Sequence, residues 1–493
     1  MIALPRLPET LMQYTPAMPA RAHQTEAVAK SIDKYGFGFL MEMGTGKTKA
    51  QLDEIGQLQE AGEARHVLLL APKGVYLNWQ NDEIPKHWTD EWRSEQRIGA
   101  WRGAGTVAQR DEVNGMFAND PSLRYFFSMN IEALAASDKA FDVAVEYVRR
   151  HRAMVVIDES TVIKNPQAQR TKAANRLRDL ASRRRILTGQ PVPNGPMDMY
   201  SQIDFIDQGR LGSSFYGYRA RYAVLKNQVF GSRQVKMIVG YRDLVEVAER
   251  IAPVTFRKRK DECLDLPPKI YLPPRSVELT DEQRRIYNDI RESATARIRA
   301  EGEDFVTATI VLVQLLRMHQ VLCGHVVDEE GRVHRLDSRR PAAMLEETEQ
   351  MRGCGIIWAS YHDDIERIEE TLERAYPGRV ASLHGRVSQD DYERNKRRFL
   401  DGSADWVVGT AAKAGRGLTL TRACNTLYYS NSQNLDHREQ SEDRTHRDGQ
   451  HWPCTYQDLQ VEGTMEVKFI KSLRAKKDLA SEVLNDGYRE WVI

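Results

Sequence analysis

The sequence predicts an α/β protein built as two parallel-sheet lobes in tandem, each carrying a helical insert. Three observations predict this. The chain has 493 residues, enough for about three domains and a large buried core. Short apolar runs of β-branched and aromatic residues alternate with helix-like stretches, the pattern of parallel β-α-β units. That rhythm occurs twice, and a proline-rich crossing separates the two passages.

In chain order, FGFLMEMG, HVLLLAP, YFFSMN, AMVVIDES and RRILTGQ supply the strands of a first lobe over residues 1–260. From Tyr200 to Gln350 the strand signal fades and helical spacing takes over, for instance over Asp281–Ile298 and Thr307–Leu322. Helical inserts are therefore expected at 206–250 and 276–345. DLPPKIYLPP places Pro267, Pro268, Pro273 and Pro274 in a stretch that should resist regular structure, so 261–275 is the expected linker. CGIIWASY, RVASLHG, DWVVGTA and TLYYSN then give the strands of a second lobe over 276–493, which ends in helices at 464–490.

Composition excludes several classes. With 41% apolar and 29% charged residues, no run approaches the ~18 apolar residues of a membrane span. The N-terminal stretch lacks a basic segment followed by a long apolar one, so no secretory leader is expected. The chain should act in the cytoplasm, that of a bacterium or of a phage-infected host, without membrane attachment. Cys263, Cys323, Cys354, Cys424 and Cys454 form no C-x-x-C pair, which argues against a zinc site or a disulfide framework. Lys+Arg 71 against Asp+Glu 70 leaves a net charge of +1, so any basic surface must be local. Candidates are 183–185, 257–260 and 394–398, where solvated helix faces are the competing reading.

The strongest local signal is MEMGTGKTKA. Gly44 and Gly46 permit a tight turn whose N–H groups face a phosphate chain at a helix N-terminus. Met43, Thr45 and Lys49 belong to the same cradle, Lys47 would reach the β/γ-phosphates, and Thr48 would offer Mg²⁺ its hydroxyl. Met41 stands where the fullest form of the pattern has its first glycine. The second element is MVVIDES, with Asp158 and Glu159 at the carboxyl end of an apolar run, where open α/β sheets bind ligands. Asp158 would hold Mg²⁺ through water and Glu159 would deprotonate the attacking water; capping of a following helix is the plainer alternative. Phosphoryl transfer also needs positive charge on the moving oxygens. Arg444 and Arg447, three apart in QSEDRTHRDGQ and so on one face if helical, would supply it from the second lobe, with ATP in the cleft between the lobes.

These residues together resemble superfamily-two helicase-like ATPases, and among them the Swi/Snf-type duplex-DNA translocases, from about residue 19 to 485. ARAHQTEAV, MEMGTGKT, VLLLAPKGVYLNWQNDEI, YFFSMNIEAL, DESTVIKN, RRILTGQPVPN, FRKRKDECLDLPPK, LLRMHQVLCGH, GIIWASY, ASLHGRVS, TAAKAGRGLTL and QSEDRTHRDGQ follow the family's order, the last being the most specific. The resemblance implies two RecA-like lobes, ATP and Mg²⁺ as cofactors, adenine reading by Gln24 and a nucleotide contact at Gly417. It further implies backbone contacts to nucleic acid from Pro72, Lys73, Ser128 and Asn130 in the first lobe. Ser360, Tyr361, Thr410 and Lys413 would make them in the second. Such contacts position a protein without reading sequence. Thr161, Gln190 and Thr419 depart from the family's histidine, threonine and asparagine, and Gln433 and Leu435 stand where Trp and Pro flank Asn434.

The expected function is a monomeric ATP-driven motor on duplex DNA that remodels DNA or protein–DNA complexes in replication, recombination or repair. A strand-separating or branch-migrating helicase, a nucleotide-gated clamp, and RNA as the track are the alternatives. Few residues precede Gln24 or follow Arg447, so targeting is expected to come from a protein partner or from DNA structure. Trp79 and Trp358 are read as core residues more readily than as base-stacking platforms.

Overall fold

Runs such as Val67–Ala71 and Met154–Asp158 are apolar at every position but the last aspartate, which suits strands covered on both faces. The computed structural model describes residues 13–467 except 74, 104, 119, 231–232, 302–304, 329, 412–418 and 433–434. Nearly all of the helical tail expected at 464–490 lies outside the described residues. The described residues group into two compact units, 13–223 with 241–264, and 265–467 with 224–240.

In the first unit, β1 (Gly36–Met41), β2 (Val67–Ala71), β3 (Gln96–Trp101), β4 (Arg124–Asn130), β5 (Met154–Asp158), β6 (Arg184–Leu187) and β9 (Thr255–Lys258) form one sheet in the order β3-β4-β2-β5-β6-β1-β9. Every pairing is parallel. Successive side chains alternate between two cores: Leu68, Leu70, Val155 and Ile157 face one, and Val67, Leu69, Met154 and Val156 the other. Helices α1 (Ala22–Ser31) and α2 (Lys47–Glu60) cover the second core. Helices α3 (Asp138–His151), α4 (Gln169–Arg178) and α5 (Met199–Ile206) cover the first. Because the strands run one way, the loops after β1, β2, β4, β5 and β6 all open onto one edge.

The arginines at 183–185 do not form the local basic surface considered from sequence. Arg185 is fully buried and its guanidinium meets Glu54, also fully buried, at 2.8–3.0 Å. It also donates to the carbonyls of Ser31, Lys34, Tyr35 and Arg184. Arg183 donates to the carbonyls of Ile32 and Lys34.

A titration is built in beside β2. The ring of His66 lies 5.1 Å from Tyr125 and 4.8 Å from His151, and its Nδ1 accepts the Tyr125 N–H at 3.2 Å. Burial first, then the charges of His151 and Arg65, pushes its pKa down to about 3. An unfolded histidine titrates near 6.5, so between roughly pH 6.5 and 3 the unfolded chain binds the extra proton, and stability falls with pH. Between pH 7 and 5.5 the wild type is expected to lose ~1 kcal/mol more than His66→Asn in urea denaturation. Equal losses would contradict this assignment.

The segment expected to be a helical insert at 206–250 is only partly helical. Helices α6 (Phe215–Tyr222) and α7 (Leu244–Ile251) flank a two-stranded hairpin of β7 (Ala223–Phe230) and β8 (Arg233–Tyr241). The alternation in QVKMIVGY is a strand signal that helical spacing obscured.

The second unit holds another parallel sheet, β10 (Lys269–Tyr271), β14 (Gly355–Ala359), β15 (Val380–Leu383), β16 (Trp406–Thr410), β17 (Asn425–Tyr428) and β18 (Cys454–Gln460), in the order β10-β18-β17-β14-β16-β15. The proline-rich stretch is thus not irregular throughout. Lys269–Tyr271, set between the proline pairs, is an edge strand, and β11 (Arg275–Ser276) also pairs with β18. An edge strand needs ladder bonds on one side only, so flanking prolines are tolerated. Two long helices, α8 (Asp281–Glu301) and α9 (Phe305–Cys323), precede a small hairpin of β12 (His325–Val327) and β13 (Val333–Arg335).

Beneath α9, His319, Cys323 and Glu466 bring donor atoms within 4.8 Å of one another. Glu466 already receives the guanidinium of Arg340 on Oε1 and the Val461 N–H on Oε2 at 2.8 Å. A guanidinium bonded to this carboxylate disfavours a second, divalent cation there, so the cluster acts as an ion-paired anchor for the chain after β18. All five cysteines are free thiols, and no helix among the described residues is long and apolar enough to cross a membrane.

Candidate functional site

The edge of the first sheet gathers the candidate chemistry. After β1 the chain turns through Gly44 and Gly46, with φ of 83° and 84°, and enters α2 at Lys47. Both angles lie in the left-handed region that glycine adopts without steric cost. A Cβ on Gly46 would fall 2.1 Å from Nε2 of Gln24, so a side chain here would displace the Gln24 amide from the loop. Gln24 donates to the Thr45 carbonyl at 3.2 Å and accepts the Arg21 N–H at 2.9 Å, and His23 Nε2 lies 2.8 Å from the same Thr45 carbonyl. Thr45 Oγ1 donates to the Glu42 carbonyl at 2.7 Å. The loop is thereby fixed from both sides, with the first N–H groups of α2 at its mouth.

Two strands away, β5 delivers Asp158 and Glu159. Asp158 is buried; its Oδ1 accepts the Glu159 N–H at 2.9 Å and its Oδ2 accepts the indole N–H of Trp79 at 2.8 Å. Burial pushes the Asp158 carboxyl above its ordinary range, opposed by the Lys47 charge and by these two N–H donors. Glu159 has φ 51° and ψ 58°, a left-handed conformation rare outside glycine, and makes no side-chain cap hydrogen bond. Helix capping is therefore not its task here. Its Oε1 lies 4.0 Å from Lys47 Nζ. Strain of this kind persists where the surroundings impose it, often at functional sites.

The loops are braced to one another. Ser160 Oγ donates to Gln202 at 2.7 Å, and the amide of Gln202 donates to the carbonyls of Pro191 and Asp198 at 2.6 and 2.8 Å. Gly189 lies so close to Met43 that a Cβ would meet its backbone nitrogen at 3.0 Å. Arg257 donates to the carbonyls of Leu40 and Gly189, and Glu42 accepts the Lys260 N–H at 2.8 Å. The basic run at 257–260 thus clamps the glycine-rich loop, which sequence reasoning missed because a charge run carries no address.

A lysine ammonium, a threonine hydroxyl, a buried carboxylate and a row of N–H donors are hard, phosphate- and Mg²⁺-compatible groups. The residues present therefore fit a nucleoside triphosphate with Mg²⁺. Met43, Gly44, Thr45, Gly46, Lys47, Thr48, Asp158 and Glu159 belong to adjoining loops of this edge. The Lys49 side chain goes elsewhere: it is buried in an ion pair with Asp53, which also accepts the Tyr14 hydroxyl at 2.6 Å. Helical spacing turns position 49 away from the loop mouth.

In the second unit, α10 (Leu435–Glu442) ends before Arg444 and Arg447, so the two arginines lie on turns and not on the single helix face expected. The Arg444 carbonyl accepts the Leu420 N–H at 2.9 Å, and the Arg447 carbonyl accepts the Gln450 N–H at 3.0 Å. Gly417 and Lys413 lie outside the described residues.

The expected nucleic-acid contacts divide. Lys73 is exposed beside buried Pro72, its N–H donating to Glu132 at 3.2 Å, and Asn130 closes a turn onto the Glu132 N–H at 2.9 Å. Thr410 is half-buried at the end of β16. Ser128, by contrast, is fully buried within β4, opposite Leu69 and Ala100, and does not face outward. The Tyr361 hydroxyl bonds His319 Nδ1 at 2.7 Å, and Ser360 is tied to Ser430 through both its N–H and its hydroxyl. Ser128 departs from the expected outward-facing role because strand alternation turns it inward, whereas Ser360 and Tyr361 are half-buried just after β14, held by these local bonds. Trp358 and Trp79 are both core residues, at 0% and 1% exposure. The run 394–398 lies on the helix Gln389–Leu400, where Lys396 pairs with Glu393 at 3.5 Å and Arg398 bonds the carbonyls of Val380 and Gly378.

Comparison with known proteins is concordant. A family model described as the SNF2-related domain matches residues 24–326, and the helicase conserved C-terminal domain matches 339–449. The Saccharomyces cerevisiae TATA-binding protein-associated factor MOT1 is 25% identical over 67% of this chain and 20% of its own length. An ATP-dependent helicase of Mycoplasma genitalium, MG018, is 24% identical over 94% of this chain and 42% of its own. The human DNA repair and recombination protein RAD54-like is 23% identical, with 90% and 62% covered. The chain thus spans less than half of the first two relatives. Among solved structures, the Sulfolobus solfataricus SWI2/SNF2 ATPase core in complex with dsDNA is similar at a TM-score of 0.41 and 22% identity, covering 97% of this chain and 96% of that one.

Proposed function

The chain belongs to the SNF2-related family of helicase-like proteins, and from that premise we propose that it hydrolyses ATP to move along duplex DNA. The observation that carries the reading is the placement of Lys47, Asp158 and strained Glu159 on one sheet edge, with Lys47 and Glu159 4.0 Å apart. Bound ATP with Mg²⁺ supplies the anhydride whose cleavage releases the energy. Lys47 and the N–H groups at the start of α2 hold the phosphates. Thr48 and Asp158 hold the cation, the latter with its plane fixed by Trp79 and by the Glu159 N–H. Glu159 accepts the proton of the attacking water. Arg444 and Arg447 place positive charge on the transferring phosphoryl, and Gln24 reads the adenine.

Lys73, Asn130 and Thr410 grip phosphates and sugars without reading bases, which suits a motor that must step over any sequence. The protein would act as a monomer in the cytoplasm, remodelling DNA or protein–DNA complexes in replication, recombination or repair, with a protein partner for targeting. Relatives named for recombination and for a TATA-binding protein support the class. Steady-state ATP hydrolysis without nucleic acid and with single-stranded DNA, duplex DNA or RNA tests it. Duplex DNA is expected to stimulate most, with the effect lost in Lys47→Ala. Better stimulation by single strands or forks would instead favour a strand-separating helicase.

A further inference from the structure

The indole of Trp79 joins two parts of the first lobe that the proposed function assigns different tasks. Its N–H donates to Oδ2 of Asp158, and both side chains are nearly inaccessible. Since Oδ1 takes the Glu159 N–H, the carboxylate is held at both oxygens and has one orientation. Metal-holding groups are oriented by outer partners of this kind. Trp79 is also the first residue of a five-residue π-helical stretch, Trp79–Glu83, in which the Ile84 N–H reaches the Trp79 carbonyl. Such bulges are rare and recur at functional sites. Trp79 and Ile84 are both buried in the same core.

The other end of this segment begins at Pro72. The Val75 and Tyr76 N–H groups both bond the Pro72 carbonyl, at 2.8 and 3.2 Å, so the turn from β2 into the helical stretch is one continuous hydrogen-bonded unit. Exposed Lys73 sits on that turn, six residues before the indole that bonds Asp158. Packing against Phe126, stacked at 6.2 Å, keeps the ring in place independently of its N–H.

We propose that Trp79 is a positioning residue that couples the cation-holding carboxylate of Asp158 to the grip of the Pro72–Lys73 turn on duplex phosphates. This rests on the proposed reading of the site as a DNA-dependent ATPase. Any shift of the carboxylate on loading of the nucleotide site drags the indole, and the hydrogen-bonded residues before it, with the Asn78 N–H on the Val75 carbonyl and the Val75 and Tyr76 N–H groups on the Pro72 carbonyl, pass it to the turn. Coupling of this sort needs an element that both sites bias.

Two variants separate the N–H from mere packing. Trp79→Phe keeps an aromatic ring but removes the donor; Phe126→Leu loosens the packing and leaves the donor. The readouts are binding of a non-hydrolysable ATP analogue titrated with Mg²⁺, and duplex affinity measured with and without the loaded analogue. In Trp79→Phe the Mg²⁺ midpoint is expected to rise roughly tenfold or more, with duplex affinity of the empty protein unchanged and its nucleotide-dependent change collapsing towards none. Phe126→Leu is expected to keep both near wild type. A midpoint within about twofold of wild type in Trp79→Phe, or the same losses in Phe126→Leu, would overturn the proposal. If wild-type protein itself binds duplex equally with and without nucleotide, the underlying motor reading fails, and the coupling role falls with it; the Mg²⁺ midpoint still reports whether Trp79 orients Asp158.

Discussion

Replacing Glu159 by Gln is expected to lower the rate of ATP hydrolysis by ~10²–10⁴-fold while leaving nucleotide binding in place. The change is nearly isosteric, so the left-handed backbone at φ 51° and the cleft beside Lys47 should persist. What disappears is a group able to accept the proton of the attacking water. Asp158 is not expected to replace it, because its carboxylate is the group proposed to hold the cation, in an orientation set by two N–H donors. Lys47→Ala should behave differently, losing affinity for the nucleotide as well, since the ammonium is the one positive side chain proposed to meet the phosphates in this lobe. Single-turnover hydrolysis together with equilibrium binding of a fluorescent ATP analogue separates the two. If Glu159→Gln hydrolysed within about tenfold of wild type, the general-base assignment would be wrong.

The second large effect concerns stability. Arg185→Ala is expected to cost ~3–5 kcal/mol, because it leaves the Glu54 carboxylate buried without its cation. Neither side chain has measurable exposure, and Gln51 at 2.9 Å is the one other side-chain donor to Glu54 among the described hydrogen bonds. The same change removes four bonds to carbonyls, three of which, at residues 31, 34 and 35, tie β6 to the segment between α1 and β1. For a lobe of this size the melting temperature should fall by roughly 6–20 °C. Replacing both partners by apolar residues, as in Arg185→Met with Glu54→Leu, should recover much of the loss, since a buried pair often stabilises no more than a well-packed apolar substitute. Thermal denaturation of the two variants side by side checks this. A double variant as unstable as Arg185→Ala would mean that the lost carbonyl bonds, and not the orphaned charge, dominate.

Legibility from sequence followed the physics of each signal. Strands buried on both faces read as unbroken apolar runs, so β2, β5, β14 and β16 were plain, and with them the edge where the loops converge. The glycine-rich loop and the paired acids were legible because phosphate and Mg²⁺ demand those residue types at that spacing. The β7–β8 hairpin was not, since alternation diluted by Gly and Lys resembles an amphipathic helix. Side-chain direction was the other blind spot. Ser128 and Lys49 have the residue types of ligand contacts, yet strand alternation and a buried aspartate turn them inward. Gln202 carried no signal and Trp79 only that of a core residue, because an indole or an amide that orients a neighbour acquires its meaning only when the fold brings that neighbour within 3 Å.

Displacement of a third strand from a DNA triplex reports ATP-driven movement along duplex DNA without requiring strand separation. The motor account predicts release of the third strand that requires ATP and Mg²⁺, proceeds on duplex without any single-stranded end, and is abolished in Glu159→Gln. Strong duplex-stimulated hydrolysis with no strand release above that of Glu159→Gln would contradict it and would leave a nucleotide-gated clamp.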